Sequence, residues 1–503
     1  MSTLPKSTQV LVVGGGPGGS TAATLLARQG FDVTLVEKEI TPRYHIGESL
    51  LPSALEIFEL LGIRDKVESY GCQQKEGAYF VWGPRQWGIE FQRLLNKYTF
   101  QVRRGRFDKL LLEHASEQGV KVFDGIEIRK LSFDGERPIS ATWSSGGMNG
   151  SSGEIAFDFL IDASGRSGLM STQYLQNRRY HKEFQNIAIW GYWKNVDFSK
   201  IWPENGTVSA RTEDGSGWIW AIPLSDDTLS TGLVLNKEIY KQRKSQASLE
   251  GIYAAGIADC PYVSDLVKTA ELASPIKVEQ DYSYVADKFA GPGYFMLGDA
   301  ACFLDPLLST GVHLAFFGGM LSAASIGSVL RNEVTQEQAY SFYDKTLRFH
   351  YLTLLVFVSS FYHITGNPED MDMDADPSAG PRRFIAEVED LQKVEPQMRQ
   401  LVSEHMVELL TKAEEGVRLM VAEELEGTAK LSGELDPKHQ AVFLQLWRGV
   451  FGYLPDFDGL RLKTQTNLRL VSVSEDDAAA LTLDTVLDEK YYAQQEADMA
   501  LTK

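Results

Sequence analysis

The run Thr8-Gln9-Val10-Leu11-Val12-Val13, followed at once by Gly14-Gly15-Gly16-Pro17-Gly18-Gly19, constrains this chain more than any other feature. A short β-branched apolar run reads as a buried strand. Residues 20–29 then read as a helix, and 32–36 as a second strand ending at Glu37. Strand, glycine turn, helix, strand and acid, in that order, make a βαβ dinucleotide-binding unit. Gly14 permits the tight turn, Gly16 lets backbone approach a pyrophosphate, and Gly19 lets the helix pack close to the strand. The helix opening at Pro17 and Ser20 offers unpaired N–H groups and the positive end of its dipole to phosphates. Glu37, with Lys38 beside it, stands where a carboxylate accepts hydrogen bonds from the adenosine ribose.

The chain has 503 residues, enough for about three domains or one large core with an appendage. With 43% hydrophobic and 23% charged residues it has an ordinary globular balance, which excludes a largely disordered chain. Lys and Arg number 49 against 68 Asp and Glu, a formal charge of −19 that argues against a nucleic-acid partner. Cys72, Cys260 and Cys302 fit neither a zinc site nor a disulfide framework and read as reduced thiols, which suits the cytoplasm. The first residues lack a signal-peptide pattern. The longest apolar run, around 351–362, falls short of the ~20 residues that span a bilayer, so no integral membrane association is expected.

Further along, 106–115 reads as a helix, 119–162 as short strands and turns, 186–235 as a sheet, 295–297 as a strand and 311–330 as a helix. Beyond 331 Glu, Leu, Gln, Lys and Ala dominate and helices are expected. Residues 367–381 read as a polar loop or insert, and the acidic tail after about 475 as partly ordered.

Three segments resemble those of FAD-dependent aromatic hydroxylases: Gln101-Val102-Arg103-Arg104-Gly105-Arg106-Phe107-Asp108, Asp162-Ala163-Ser164-Gly165, and Tyr294-Phe295-Met296-Leu297-Gly298-Asp299. The resemblance implies FAD, with Arg104 near it and Asp299 by its ribityl and phosphate groups. It also implies an α/β chain: a Rossmann-like FAD-binding domain of the aromatic-hydroxylase type, an inserted β-sheet substrate domain and a mostly helical C-terminal region. The expected boundaries are a core over 1–330 and a helical region over 331–503 that covers or shapes the substrate pocket. Within the core, FAD-binding segments fall at about 1–110, 155–185 and 285–330, with the substrate sheet at about 186–284.

Gly217-Trp218-Ile219-Trp220-Ala221-Ile222-Pro223 resembles the WxWxIP signature of flavin-dependent halogenases. Tryptophans at i and i+2 of a strand share one face. They can form a wall, ending at Pro223, between flavin and substrate. Lys75, in Lys75-Glu76-Gly77-Ala78-Tyr79-Phe80-Val81-Trp82-Gly83, matches that family's catalytic lysine segment. The resemblance implies that FADH2, O2 and chloride or bromide yield hypohalous acid, relayed to Lys75. There it is held by hydrogen bonding or as a chloramine; both remain open. A separate flavin reductase supplies FADH2, since no second nucleotide motif is found. Gly47, Glu48 and Ser49 match a motif near the flavin ring, as does Val312. Thr310 and Gly311, opening a helix, match the family's halide donors. Tryptophan halogenases carry a glutamate where this chain has Leu308, so the resemblance points instead to a phenolic natural product, free or borne on an acyl or peptidyl carrier protein. His45 and His313 are candidate bases with a structural default for each, and the base stays unassigned. Arg382-Arg383 is a candidate carrier contact against the default of a solvated face. The alternatives are an FAD-dependent aromatic hydroxylase, and a non-catalytic flavin-binding interaction protein.

Overall fold

Val10, Leu11 and Val12 are fully buried because their strand, Ser7–Val13, lies at the centre of a parallel sheet covered on both faces. Its neighbours are Val33–Glu37 on one side and Ser152–Asp162 on the other, with Lys121–Asp124 and Tyr294–Met296 outside them. The helix Pro17–Arg28 crosses between the first two strands, as the glycine turn requires. These facts come from a computed structural model, which describes all residues except 1–3, 83–84, 147–149, 183, 281–282, 367–377, 426–444, 446, 465–467, 474–480 and 483–503.

The chain divides into two compact units, 1–340 and 341–503. The first unit holds the parallel sheet and a second, mostly antiparallel one. That second sheet runs Glu271–Leu272, Asn186–Lys194, Thr228–Asn236, Gly217–Leu224, Thr207–Arg211, Gly77–Trp82 and Arg85–Glu90. Its last two strands come from the stretch that sequence assigned to FAD binding, so Gly77–Trp82 carries the lysine segment to this second sheet by pairing parallel to Thr207–Arg211. An apolar core of Ile189, Ile219, Leu233, Tyr253 and their neighbours backs the sheet.

The helix Thr310–Leu330 packs on Pro17–Arg28 where Gly319 meets Gly18: a Cβ on Gly319 would stand 2.6 Å from the Gly18 carbonyl oxygen. It corrects the expectation about apolar runs. Interspersed Gly and Ser break any count of consecutive apolar residues, yet its mean hydropathy reaches 1.5, long and apolar enough to cross a membrane by composition. Eighty-nine per cent of that window is buried inside the protein, as for a core helix.

The second unit is mostly helical, with Ala379–Glu387 and Pro396–Leu425 beside short strands such as Leu460–Lys463 and Arg469–Ser472. The expected loop over 367–381 is corrected at its end: Ala379, Gly380 and Pro381 form the first turn of a helix. Proline is tolerated there because its missing N–H would have no partner in any case. The rest of that stretch, and nearly all of the tail after 475, lie outside the described residues.

Candidate active site

Gly14 has φ +112°, and a Cβ there would lie 2.1 Å from the Ala163 carbonyl oxygen. Both the backbone twist and the close approach demand glycine. On Gly19 a Cβ would lie 2.0 Å from the Gly14 oxygen, so the helix packs directly on the turn. Gly16 differs: its Cβ would meet nothing nearer than Arg43 at 3.6 Å, so that face opens to space. The space is a cavity of about 800 Å³, within the range of small-molecule and cofactor sites.

Of the residues expected at a cofactor, Gly14, Gly16, Pro17, Gly19, Glu37, Lys38, Gly47, Glu48, Ser49, Arg104, Asp299, Gly311 and Val312 line this cavity. Ser20 does not; its hydroxyl is buried and donates to the Gly15 carbonyl. The Glu37 carboxylate accepts from the N–H groups of Gly15 at 2.8 Å and Glu39 at 3.1 Å, closing the turn. Arg43 joins it to Asp108, at 3.4 and 3.3 Å. Asp108 also takes a two-pronged ion pair from Arg104, at 2.8 and 3.1 Å. Arg104 then donates to the Ile46 carbonyl at 2.9 Å, pinning the Gly47 segment against the helix Arg104–Glu117. Burial raises the Asp299 carboxyl to about 6, against the pull of Arg104, Arg166 and Arg178.

At the other end stand the tryptophans. Trp218 and Trp220 line the cavity with ring centroids 6.2 Å apart, while Pro223 lies buried farther along the strand and does not line it. Gly232 faces Trp220 across the strand pair, and a Cβ there would sit 1.9 Å from the indole. The same glycine faces Trp190, whose ring lies 6.4 Å from Trp220. One missing side chain thus admits two indoles.

Lys75 is 2% exposed and sits just outside the lining. Its Nζ donates to Ser49 Oγ at 2.8 Å and to the Leu50 carbonyl at 3.2 Å, 5.3 Å from the Phe91 ring centre. Burial alone lowers its pKa to about 7. Ser49 Oγ in turn lies 3.0 Å from Thr207 Oγ1, and both residues line the cavity.

The helix Thr310–Leu330 opens at Ser309, in a left-handed conformation with φ +57°. Gly311 and Val312 reach the cavity, whereas Thr310 does not, though its hydroxyl is buried with no hydrogen-bond partner among the described residues. Leu308 does not line the cavity. His45 does; the Arg104 charge and burial lower its pKa to about 4. His313 lies away from the lining, beside Ser53 at 2.8 Å, and burial lowers it to about 4 as well. Neither is a strong base.

Sequence reasoning missed several lining residues. Arg43 had no signal beyond its charge. Trp190, which lines the cavity, and Tyr192, which does not, alternate on one strand face and were legible as a pair. Tyr192 donates to buried Glu48 at 2.9 Å, and its hydroxyl lies 3.0 Å from that of Tyr44, which accepts from the Trp190 indole at 2.6 Å. Burial raises the Glu48 carboxyl above its ordinary range.

A family model described as "Tryptophan halogenase" matches residues 9–98 and 92–404. The chain is 50% identical over 367 residues to a "Tryptophan 2-halogenase" of Chondromyces crocatus, covering 73% of this chain and 70% of that protein. It is 40% identical over 397 residues to the "Flavin-dependent halogenase rdc2" of Metacordyceps chlamydosporia, covering 74% and 76%. Among solved structures it resembles the myxobacterial chondrochloren halogenase CndH, described as a variant of FAD-dependent halogenases. The TM-score is 0.67 at 28% identity, over 90% of this chain and 99% of that one.

Proposed function

The chain belongs to the flavin-dependent halogenase family, an FADH2-dependent oxidoreductase that uses FAD and a halide, and on that premise we propose that it chlorinates or brominates an electron-rich phenolic ring with Lys75 as the group that holds the oxidised halogen. Enzymes of this family draw FADH2 from a flavin reductase. The hydroxylase and non-catalytic alternatives lose their footing with the family assignment. When bound, reduced FAD with oxygen supplies the oxidising equivalents that turn halide into an electrophile.

The observation that carries the proposal is a buried amine, with neutral partners only, directly behind the wall of the cavity that holds both the glycine turn and the two tryptophans. Gly14, Gly16 and Gly19 with the helix behind them hold the pyrophosphate, and Glu37 and Lys38 the adenosine end. Gly47, Glu48, Ser49, Arg104, Asp299 and Val312 surround the rest of FAD. Thr310 and Gly311, opening the helix Thr310–Leu330, gather the halide with their backbone N–H groups, a role supported by the place of Gly311 on the cavity wall. Trp218 and Trp220 separate flavin from substrate. An amine with pKa about 7 hydrogen-bonds hypohalous acid as an ammonium or forms a chloramine as a free base. The ring then forms its carbon–halogen bond and gives up a proton.

The phenolic substrate is supported by Leu308, since no carboxylate stands at that position to assist a less activated ring. An indole is the second reading, favoured by the name of the relative at 50% identity. Assaying tryptophan against a panel of free and carrier-tethered phenols, each with both halides, separates these readings. Arg382 and Arg383, exposed on the helix Ala379–Glu387, are the candidate carrier contact. Cys72, Cys260 and Cys302 form no disulfide, which suits the cytoplasm.

Lys75→Ala tests the core of this reading. Halogenated product, read by mass spectrometry, falls at least about a hundredfold, while FAD binding and consumption of FADH2 continue. Halogenation near the wild-type rate overturns the assignment.

A further inference from the structure

We infer that the hydroxyls of Ser49 and Thr207 form a two-step proton relay between the buried Lys75 amine and the cavity, making Ser49 the residue that positions Lys75 and sets its charge state. The inference rests on the role of Lys75 proposed above.

Three observations carry it. First, Lys75 does not line the cavity, but Ser49 and Thr207 do. Second, the contacts run in series: Lys75 Nζ to Ser49 Oγ at 2.8 Å, then Ser49 Oγ to Thr207 Oγ1 at 3.0 Å. All three residues are under a tenth exposed. Third, the chain is held on rigid elements. Ser49 bridges to Gln101 and the Leu50 N–H donates to the Phe100 carbonyl, on the strand Thr99–Gln101 that also pairs with the strand of Lys75. Thr207 opens the strand paired with Gly77–Trp82.

Among the described residues no charged side chain is paired with the Lys75 amine. Glu48, Glu56, Glu76, Glu90 and Lys97 stand on the elements around Lys75, yet none pairs with it among the described residues. Glu56 pairs with Lys97, and Glu48 with Arg103 and Tyr192. Among the described residues the buried ammonium donates to two neutral oxygens, so loss of either acceptor weakens the charged form.

The relay moves one proton and changes no oxidation state. The Lys75 ammonium gives a proton to Ser49 Oγ as Ser49 gives its own to Thr207 Oγ1, and Thr207 releases one to water or substrate oxygen in the cavity. Lys75 is left a free amine. In reverse, the same hydroxyls return a proton to it. A hydroxyl serves both directions because it donates and accepts at one atom.

The test uses the full chain carrying FAD, with 13Cε-labelled lysine followed by NMR against pH and the Lys75 resonance assigned from Lys75→Arg. In Ser49→Ala the cation loses one of two acceptors. Its ionisation constant rises roughly tenfold, moving the midpoint down about one pH unit. The kcat for halogenation at neutral pH falls by a similar factor with the substrate KM unchanged. Ser49→Thr restores both. Thr207→Val breaks the cavity end: kcat falls while the Lys75 midpoint stays near that of the wild type. A Ser49→Ala protein whose Lys75 titrates as in the wild type overturns the relay. So does Ser49→Thr that fails to restore, or Thr207→Val at the wild-type rate. Should Ser49→Ala not fold, Thr207→Val carries the test alone. These outcomes are separate from Lys75→Ala, whose full activity sinks the role of Lys75 whatever its titration shows.

Discussion

The two ends of the cavity solve the problem of buried polarity in opposite ways. At the nucleotide end charges are paired with charges: Glu37, Arg43, Asp108 and Arg104 form one continuous chain of ion pairs behind the glycine turn. Backbone approaches of 2.0–2.1 Å to the Cβ positions of Gly14 and Gly19 leave that end no room to adjust. At the Lys75 end a cation is buried with neutral partners only. The difference teaches that one end is built to stay as it is and the other to change protonation. A group held by an opposite charge keeps its charge, whereas a buried amine held by neutral oxygens is poised near neutrality.

Substitutions that blur this contrast rank by how much each region depends on it. The largest effect is expected for Gly14→Ala, where left-handed backbone and a carbonyl contact coincide; it costs more than about 4 kcal/mol and abolishes FAD binding. Thermal unfolding and titration with FAD check this. Next comes Lys75→Met. Folded Lys75 releases its proton near pH 7 and the unfolded residue near 10.5, so between those values the unfolded chain binds more protons and stability rises with pH. Below pH 7 the full penalty of burying the charge applies, roughly 3–5 kcal/mol. Lys75→Met therefore stabilises most at pH 6, and its gain fades toward pH 10; urea unfolding across that range reads the slope. A gain that grows with pH would reverse the assignment of charge.

A smaller effect belongs to Gly232→Ala. Its methyl meets the Trp220 indole at 1.9 Å and forces the Trp190 and Trp220 rings apart, at about 1–3 kcal/mol. The expected signature is retained FAD binding with a shifted tryptophan fluorescence spectrum and poorer halogenation. The smallest is His45→Gln. With a pKa of about 4 the imidazole is already neutral at pH 6–8, so the activity profile over that range keeps its shape. Loss of one limb would make His45 the missing base.

How much was legible followed from how local the cause was. The glycine turn, its helix and Glu37 were readable because the motif occupies adjacent positions and each glycine has a steric reason. Trp218 and Trp220 were readable as a pair because strand alternation puts i and i+2 on one face. The space for Trp220, however, comes from Gly232, and its other indole partner is Trp190, a neighbour only through strand pairing. Lys75 was identified by resemblance, but its surroundings were not legible: Ser49 and Thr207, 26 residues before it and far after it in the chain, stand at the cavity wall. The helix Thr310–Leu330 escaped the apolar count because small polar residues pack inside it as readily as apolar ones.

What the amino-acid order determined alone was the class of chemistry: a nucleotide-binding βαβ unit, a tryptophan strand and a lysine segment, each a short run whose physical demands are met by neighbours in the chain. What only the tertiary structure decided was the electrical state of that chemistry. Whether Lys75 is charged depends on which oxygens reach its amine and how much water is excluded. Both oxygens belong to one other segment, Ser49-Leu50, which the strand Thr99–Gln101 holds beside Lys75.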